Sequence, residues 1–420
     1  MSMFHRVPAA VAAAFLLVLT GGPAASESEL PRFGISSLSG TYLAGRHAGR
    51  ERDMEAAAAY FGRALARDPD NPVLIERTFI HELSVGNMAR AEELAESVLD
   101  VSSEHRMARV VLGLRAARDN RHQEARDHFE AAAFTPLGEL TSGLLAAWSA
   151  AQEGKLDEAL EALDVLRSQD AFGTFRLLHS GLIAAHLGDH ARAGEAYAEA
   201  YERAGSSLRV VQAYGTFLER TGRGREAAEI YDHFLATAQR SPLIEAARAR
   251  VDAGDLPAPF IGTATDGMAE AMFSLANVML AERSMDLALI YAHLALSLKP
   301  GFDVAQVLLG EVYEDAEHYE KAIEAYEAIP DDSPLWPSAE IQIATDLDRL
   351  EKFDAALARI DGVIAERPDH YDAYVARGNL MRLHEKWNEA AVEYSRALDL
   401  VATPEREHWT VVYFRAISFE

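Results

Sequence analysis

Residues 371–404 read YDAYVARGNLMRLHEKWNEAAVEYSRALDLVATP. Ala390, in the middle of this stretch, follows Ala288, Ala322 and Ala356 at a constant interval of 34 residues. Ala57, Ala91, Ala125, Ala159, Ala193 and Ala227 form a second series with the same interval. A period of this length marks a helix–turn–helix unit that buries its apolar face only by stacking on copies of itself. The alanines therefore predict a solenoid of ten helical hairpins.

Other columns carry the same period. Counted from nineteen residues before each alanine, position 8 is Gly45, Phe79, Gly113, Ala147, Gly181, Gly215, Ala276, Gly310, Ala344 and Gly378. Small residues there are expected to face the alanine at position 20, where the two helices of a hairpin cross closely. Position 24 is mostly large: Phe61, Phe129, Leu163, Tyr197, Tyr231, Tyr326, Ile360 and Tyr394, with Ala95 and Ala292 as exceptions. It shares a helical face with position 20. Pro69, Pro300, Pro334 and Pro368 sit at position 32, where a residue that cannot donate its N–H stops the second helix. Pro136 and Pro404 fall within two residues of that place.

With Tyr374, Gly378, Ala390, Tyr394 and Ala397 on the pattern, the unit 371–404 resembles the tetratricopeptide-repeat (TPR) family, and the resemblance extends over essentially the whole chain after its leader. It implies an all-α, right-handed α-solenoid whose first helices line a concave groove, and a scaffold that holds other proteins. The unit 72–105, with Phe79 in the small column, departs most.

The chain opens with His5 and Arg6, an apolar run from Val7 to Thr20, and small residues to Ser26. These are the parts of a signal peptide (1–25), with 26–37 as a linker. The run is shorter than a membrane span needs, and none of its kind follows, so the mature chain is expected not to be inserted in a membrane. There is no cysteine, which excludes disulfides, thiol chemistry and zinc–cysteine sites. Lysine occurs only at 155, 299, 321, 352 and 386, a skew toward arginine that resembles proteins of GC-rich bacteria. The expected address is the periplasm of a Gram-negative cell. A net charge of −26 argues against nucleic acid as a partner and favours basic ones.

Six repeats are expected over 38–241 and four over 269–404. Residues 242–268 break the count, reading as a helix from Pro242 to Asp252 and a Pro/Gly loop over 254–262. Residues 405–420, with Trp409, Val411, Val412, Tyr413, Phe414, Ile417 and Phe419, read as a nearly all-apolar first helix of a partial eleventh repeat. That composition suits a buried helix, in a fragment of a longer protein or one docked on a partner.

Family geometry opens positions 2, 5, 9 and 12 of each first helix to the groove. In repeats three to five these include Met107, Val110, Leu114, Leu144, Trp148, Phe175, Leu178 and Leu182. So apolar a stripe on an open surface is expected to bind a partner, with Trp148 as its anchor. Repeats eight and nine offer Glu311, Glu314, Asp315 and Asp348 instead. Together the two stretches predict a protein or peptide partner with an apolar segment and a basic one.

No constellation points to catalysis, a metal or a cofactor. His179, His186 and His190 lack the spacing of helical zinc sites, and Thr221–Gly224 is a turn between helices, not a phosphate loop. Asn277 and Asn379 occupy position 9, but the lysines of a carboxylate clamp are absent. The reading is a non-catalytic scaffold of the bacterial cell envelope. Its alternative is the accessory half of a longer envelope enzyme, a protease or polysaccharide machine, with its catalytic domain beyond residue 420.

Overall fold

The computed structural model describes residues 37–237, 240–401 and 406–419. The expected signal peptide, nearly all of the linker and Pro404 lie outside them. Every described element is helical. The first block pairs α1 (Leu38–Arg50) with α2 (Met54–Leu65), α3 (Pro72–Ser84) with α4 (Met88–Val101), and α5 (Arg106–Arg118) with α6 (His122–Ala131). It continues with α7 (Pro136–Gln152) and α8 (Leu156–Asp164), α9 (Gly173–His186) and α10 (His190–Ala204), and α11 (Leu208–Arg220) and α12 (Gly224–Thr237). A single helix, α13 (Pro242–Ala253), follows. The second block pairs α14 (Ala264–Ala281) with α15 (Met285–Leu298) and α16 (Asp303–Asp315) with α17 (Tyr319–Glu327). Its last pairs are α18 (Trp336–Arg349) with α19 (Phe353–Glu366), and α20 (Tyr371–Leu383) with α21 (Trp387–Asp399). The final helix is α22 (Trp409–Ile417).

Local chemistry sets the helix ends. Asp53, Asn87 and Asp189 cap second helices, each accepting from a backbone N–H three residues on. Between the helices of a hairpin one residue turns left-handed, and its position also recurs every 34 residues: Arg52, Gly86, Asn120, Gly154, Gly188 and Gly222, then Arg283, Glu317, Glu351 and Glu385. In the second block this residue is never glycine.

The small column is explained differently from the expectation. A Cβ added at Gly113, Gly215, Gly310 or Gly378 would fall 2.3–2.6 Å from the ring of Phe129, Tyr231, Tyr326 or Tyr394. Position 8 is thus small because the side chain of position 24 fills the space above it, not chiefly to meet the alanine at position 20. The size rule runs in pairs: glycine with an aromatic ring, Ala147 with Leu163, Ala344 with Ile360. Repeat two inverts it, with Phe79 against Ala95, both fully buried. Its departure is a swap that conserves volume.

The break between blocks is shorter than its sequence suggests. Thr263 and Asp266 form a capping box, each side chain accepting from the other's backbone N–H, so α14 starts five residues before the repeat count resumes at Ala269. At the far end α22 buries Val411 (6% exposed) but leaves Trp409 (70%) and Tyr413 (61%) open. Among the described residues α22 packs chiefly on α21, along one face only.

Candidate functional site

The second block folds back into the first. Helix α14 packs on α7 and α9, and α15 packs on α3. Trp148 of α7 lies flat on the backbone of Gly267, where an added Cβ would be 2.3 Å from the indole. Its Nε1–H donates to Nδ1 of His179 at 2.9 Å. His179 is wholly buried, and burial pushes its pKa down to about 4, so it stays neutral and can accept that bond. Thr141 of α7 meets the Tyr291 hydroxyl of α15 at 3.4 Å. The turn at Gly86 presses on His293 of α15, whose own pKa burial also depresses to about 4.

This arrangement corrects the expectation of an open apolar groove. Met107, Val110, Leu114, Leu144, Trp148, Leu178 and Leu182 are each at most 5% exposed. A stripe that apolar in water is costly uncovered, and the chain covers its α7 and α9 part with its own α14. Trp148 is an anchor, but its partner is Gly267 of the same chain. Phe175, half-buried, keeps one side on an open cavity.

An ion pair pins the junction. Arg209 of α11 grips Glu270 of α14 with both ends of its guanidinium, Nε donating to Oε1 at 2.9 Å. Glu270 is 1% exposed. The same guanidinium lies over the rings of Phe260 (4.5 Å), Phe273 and Phe302 (both 5.6 Å). The sequence reading missed this pair, although it carries a signal: both residues occupy position 2, a groove position, with opposite charges. Farther round, Arg52 and Asp315 approach to 3.6 Å and Glu55 and Lys321 to 3.8 Å, tying repeat one to repeat eight.

What remains open is a cavity of about 520 Å³ where the groove passes from one block to the other. Phe175 and Leu178 of α9, Phe273 and Val278 of α14, and Val307 and Leu308 of α16 form its apolar walls. Arg209 lines it but is already engaged. Glu311 lines it too and, among the described residues, has no hydrogen-bond or ion-pair partner. Its carboxylate is accessible inside the cleft, yet the walls crowd out water and raise its pKa, with Glu314 adding to the effect.

The other three acidic candidates are not equivalent to it. Asp315 faces Arg52, and Asp348 accepts from His384 Nε2 at 2.6 Å. Glu314 is half-buried, accepts from Gln342 at 3.4 Å, and is raised in pKa by burial. It sits beside Asp346, a residue the sequence reading passed over: 1% exposed, with its pKa pushed up to about 7 by burial and then by Glu314. The acidic stretch is therefore one unpaired carboxylate, two paired ones, and the half-buried Glu314 beside the buried Asp346.

Among the described residues no group of three or more His, Asp or Glu side chains could hold a metal. No described helix is long and apolar enough to cross a membrane.

The profile described as "Tetratricopeptide repeat" matches residues 78–139 and 341–405. No curated protein matches. Among solved structures, a tetratricopeptide repeat protein from Parabacteroides merdae is 14% identical, with 67% of this chain and 99% of that one covered and a TM-score of 0.31. Yeast Tom70 is 12% identical over 91% of this chain and 95% of that one, with a TM-score of 0.34. MamA from Desulfovibrio magneticus RS-1 is 18% identical over 39% of this chain and 93% of that one, with a TM-score of 0.35.

Stacked helical hairpins, a 34-residue period and a concave face define the class: an α-solenoid of the kind that serves as a protein-interaction scaffold. Within that class, residues 78–139 and 341–405 match the tetratricopeptide repeat, which supports a tetratricopeptide-repeat protein. Proteins of this fold are generally non-catalytic interaction modules.

Proposed function

We propose that this chain is an exported, non-catalytic scaffold of the bacterial cell envelope that holds a partner segment in the cleft between its two blocks. An apolar side chain of the partner enters the cavity and a basic one pairs with Glu311. The observation that carries this reading is the cavity itself. Its apolar walls come from both blocks, and among the described residues its one unengaged charge is a carboxylate. A cation beside it would stabilise the ionised carboxylate against the desolvation that raises its pKa, and the chain's net charge of −26 favours such a partner at long range.

Export rests on the leader-like residues 1–25. Fusing residues 1–36 to a phosphatase that is active only outside the cytoplasm should give activity, and an inactive fusion would remove the envelope from the proposal. For the cleft, a photo-crosslinking residue at Val307 should capture a defined partner in cells. Capture should fall at least about tenfold when Glu311→Lys is added, since an ion pair becomes a repulsion. Crosslinks that ignore Glu311→Lys in a folded variant would move the partner to another face.

A further inference from the structure

A second cavity, of about 270 Å³, lies on the other side of the Arg209–Phe260 contact, between α9, α10, α11 and the loop 259–262 that roofs it. Its polar rim gathers nitrogen-bearing side chains. His186 closes α9, His190 opens α10, and Arg220 closes α11; among the described residues no carboxylate lines the cavity. In a chain with 66 acidic and 40 basic residues, an arginine and two imidazoles around one enclosed space without a carboxylate run against composition. Asp189, between the two histidines in sequence, is committed elsewhere, accepting from the backbone N–H and Nε of Arg192.

Arg220 is also held in place. Its Nη1 donates to the Pro257 carbonyl at 2.7 Å, which fastens the roof and leaves the guanidinium's other N–H groups without a carboxylate partner among the described residues. The inner wall is apolar, with Phe217 and Ile261 both under 9% exposed. Tyr197, 1% exposed, lines it too, and its hydroxyl has no hydrogen-bond partner among the described residues.

We propose that this cavity binds a small organic carboxylate with an apolar body. The planar anion lies against Arg220, with His186 and His190 flanking it, and the body packs on Phe217 and Ile261. A planar fork of N–H donors matches a carboxylate in two parallel bonds, and partial enclosure strengthens them. The site is separate from the cleft at Glu311, and neither reading depends on the other.

Calorimetric titration of the full chain with phenylacetate and with its neutral amide, phenylacetamide, tests this. The acid should bind saturably, and the amide at least about tenfold more weakly, because it cannot offer the anion. Arg220→Gln should weaken the acid at least about tenfold and leave the amide unchanged. Because Arg220 also fastens the roof, His190→Gln provides a second variant that touches no loop bond; it too should weaken the acid selectively. Equal affinity for acid and amide would overturn the proposal, as would no saturable binding. So would an Arg220→Gln variant that weakens both probes alike while His190→Gln weakens neither, since that pattern marks a collapsed roof.

Discussion

At the residue scale, the molecule obeys a volume rule between positions 8 and 24 of every hairpin but the seventh, which has Ala276 and Ala292 there. Repeat two tests it, because Phe79 and Ala95 invert the usual sizes and are both fully buried. Ala95→Tyr alone overfills the site and should lower stability by about 1–3 kcal/mol in urea unfolding. Adding Phe79→Gly restores the arrangement of the other repeats and should recover most of that loss, less about 1 kcal/mol for a glycine inside a helix. Additive losses in the double variant would refute the pairing.

Asp346 offers a second test at this scale. Its folded pKa, about 7, lies above that of an exposed carboxylate, so the folded state holds a proton that the unfolded state releases. Its stabilising contribution is complete below about pH 4 and is lost as pH rises through about 7. Asp346→Asn removes that dependence. Its melting temperature should gain on the parent between pH 4.5 and 7.5 and then run parallel. A constant difference across that range would place the proton elsewhere.

At the element scale, the turn residues of the hairpins separate backbone strain from contact between blocks. Gly86 and Gly222 occupy the same register position with φ of 75° and 79°. A Cβ at Gly222 meets nothing within 4 Å, whereas one at Gly86 would lie 2.6 Å from His293. Gly222→Ala should therefore cost only the left-handed penalty, about 1–2 kcal/mol. Gly86→Ala should cost at least about 1 kcal/mol more in the same melt, because α15 must shift. Equal costs would mean that α15 does not press on that turn.

The hairpins themselves were legible in the sequence because alanine, glycine and aromatic columns are local consequences of two helices crossing. The start of α14 was not. Its capping box, Thr263 with Asp266, precedes the first residue of the repeat, so counting by period cuts off its first turn. That turn carries Gly267, the residue on which Trp148 lies. The apolar stripe over Met107, Leu144, Trp148 and Leu182 was visible as well, but what covers it lies more than a hundred residues from most of it. Periodicity carries no information on contacts at that separation. Only the position-2 charges of Arg209 and Glu270 hinted at it.

At the scale of the whole molecule, two stacks of repeats are joined by a junction as buried as either core. A solenoid's stability is ordinarily a sum of neighbour terms, and its blocks can unfold separately. Here Arg209 and Glu270 couple them. Arg209→Ala leaves the Glu270 carboxylate buried and unpaired, and should cost about 3–5 kcal/mol. The single urea transition should split, with a change in the fluorescence of Trp148 preceding loss of helix. One cooperative transition with a loss below about 1 kcal/mol would show that the pair is ornamental. The functional reading depends on this junction, since it closes most of the groove and leaves the cavity at Glu311 as its open part.

The chain's lack of cysteine makes that central claim directly measurable. Arg52 and Asp315, in repeats one and eight, approach to 3.6 Å and are both about half exposed. In the double variant Arg52→Cys/Asp315→Cys, a short bis-maleimide should bridge the two thiols within one molecule, at dilutions where no crosslinked dimer forms. Mass spectrometry should then find residues 52 and 315 joined in the monomer. Two singly capped thiols and no intramolecular bridge would mean that the second block does not fold back into the first, and the groove would again be open along its length.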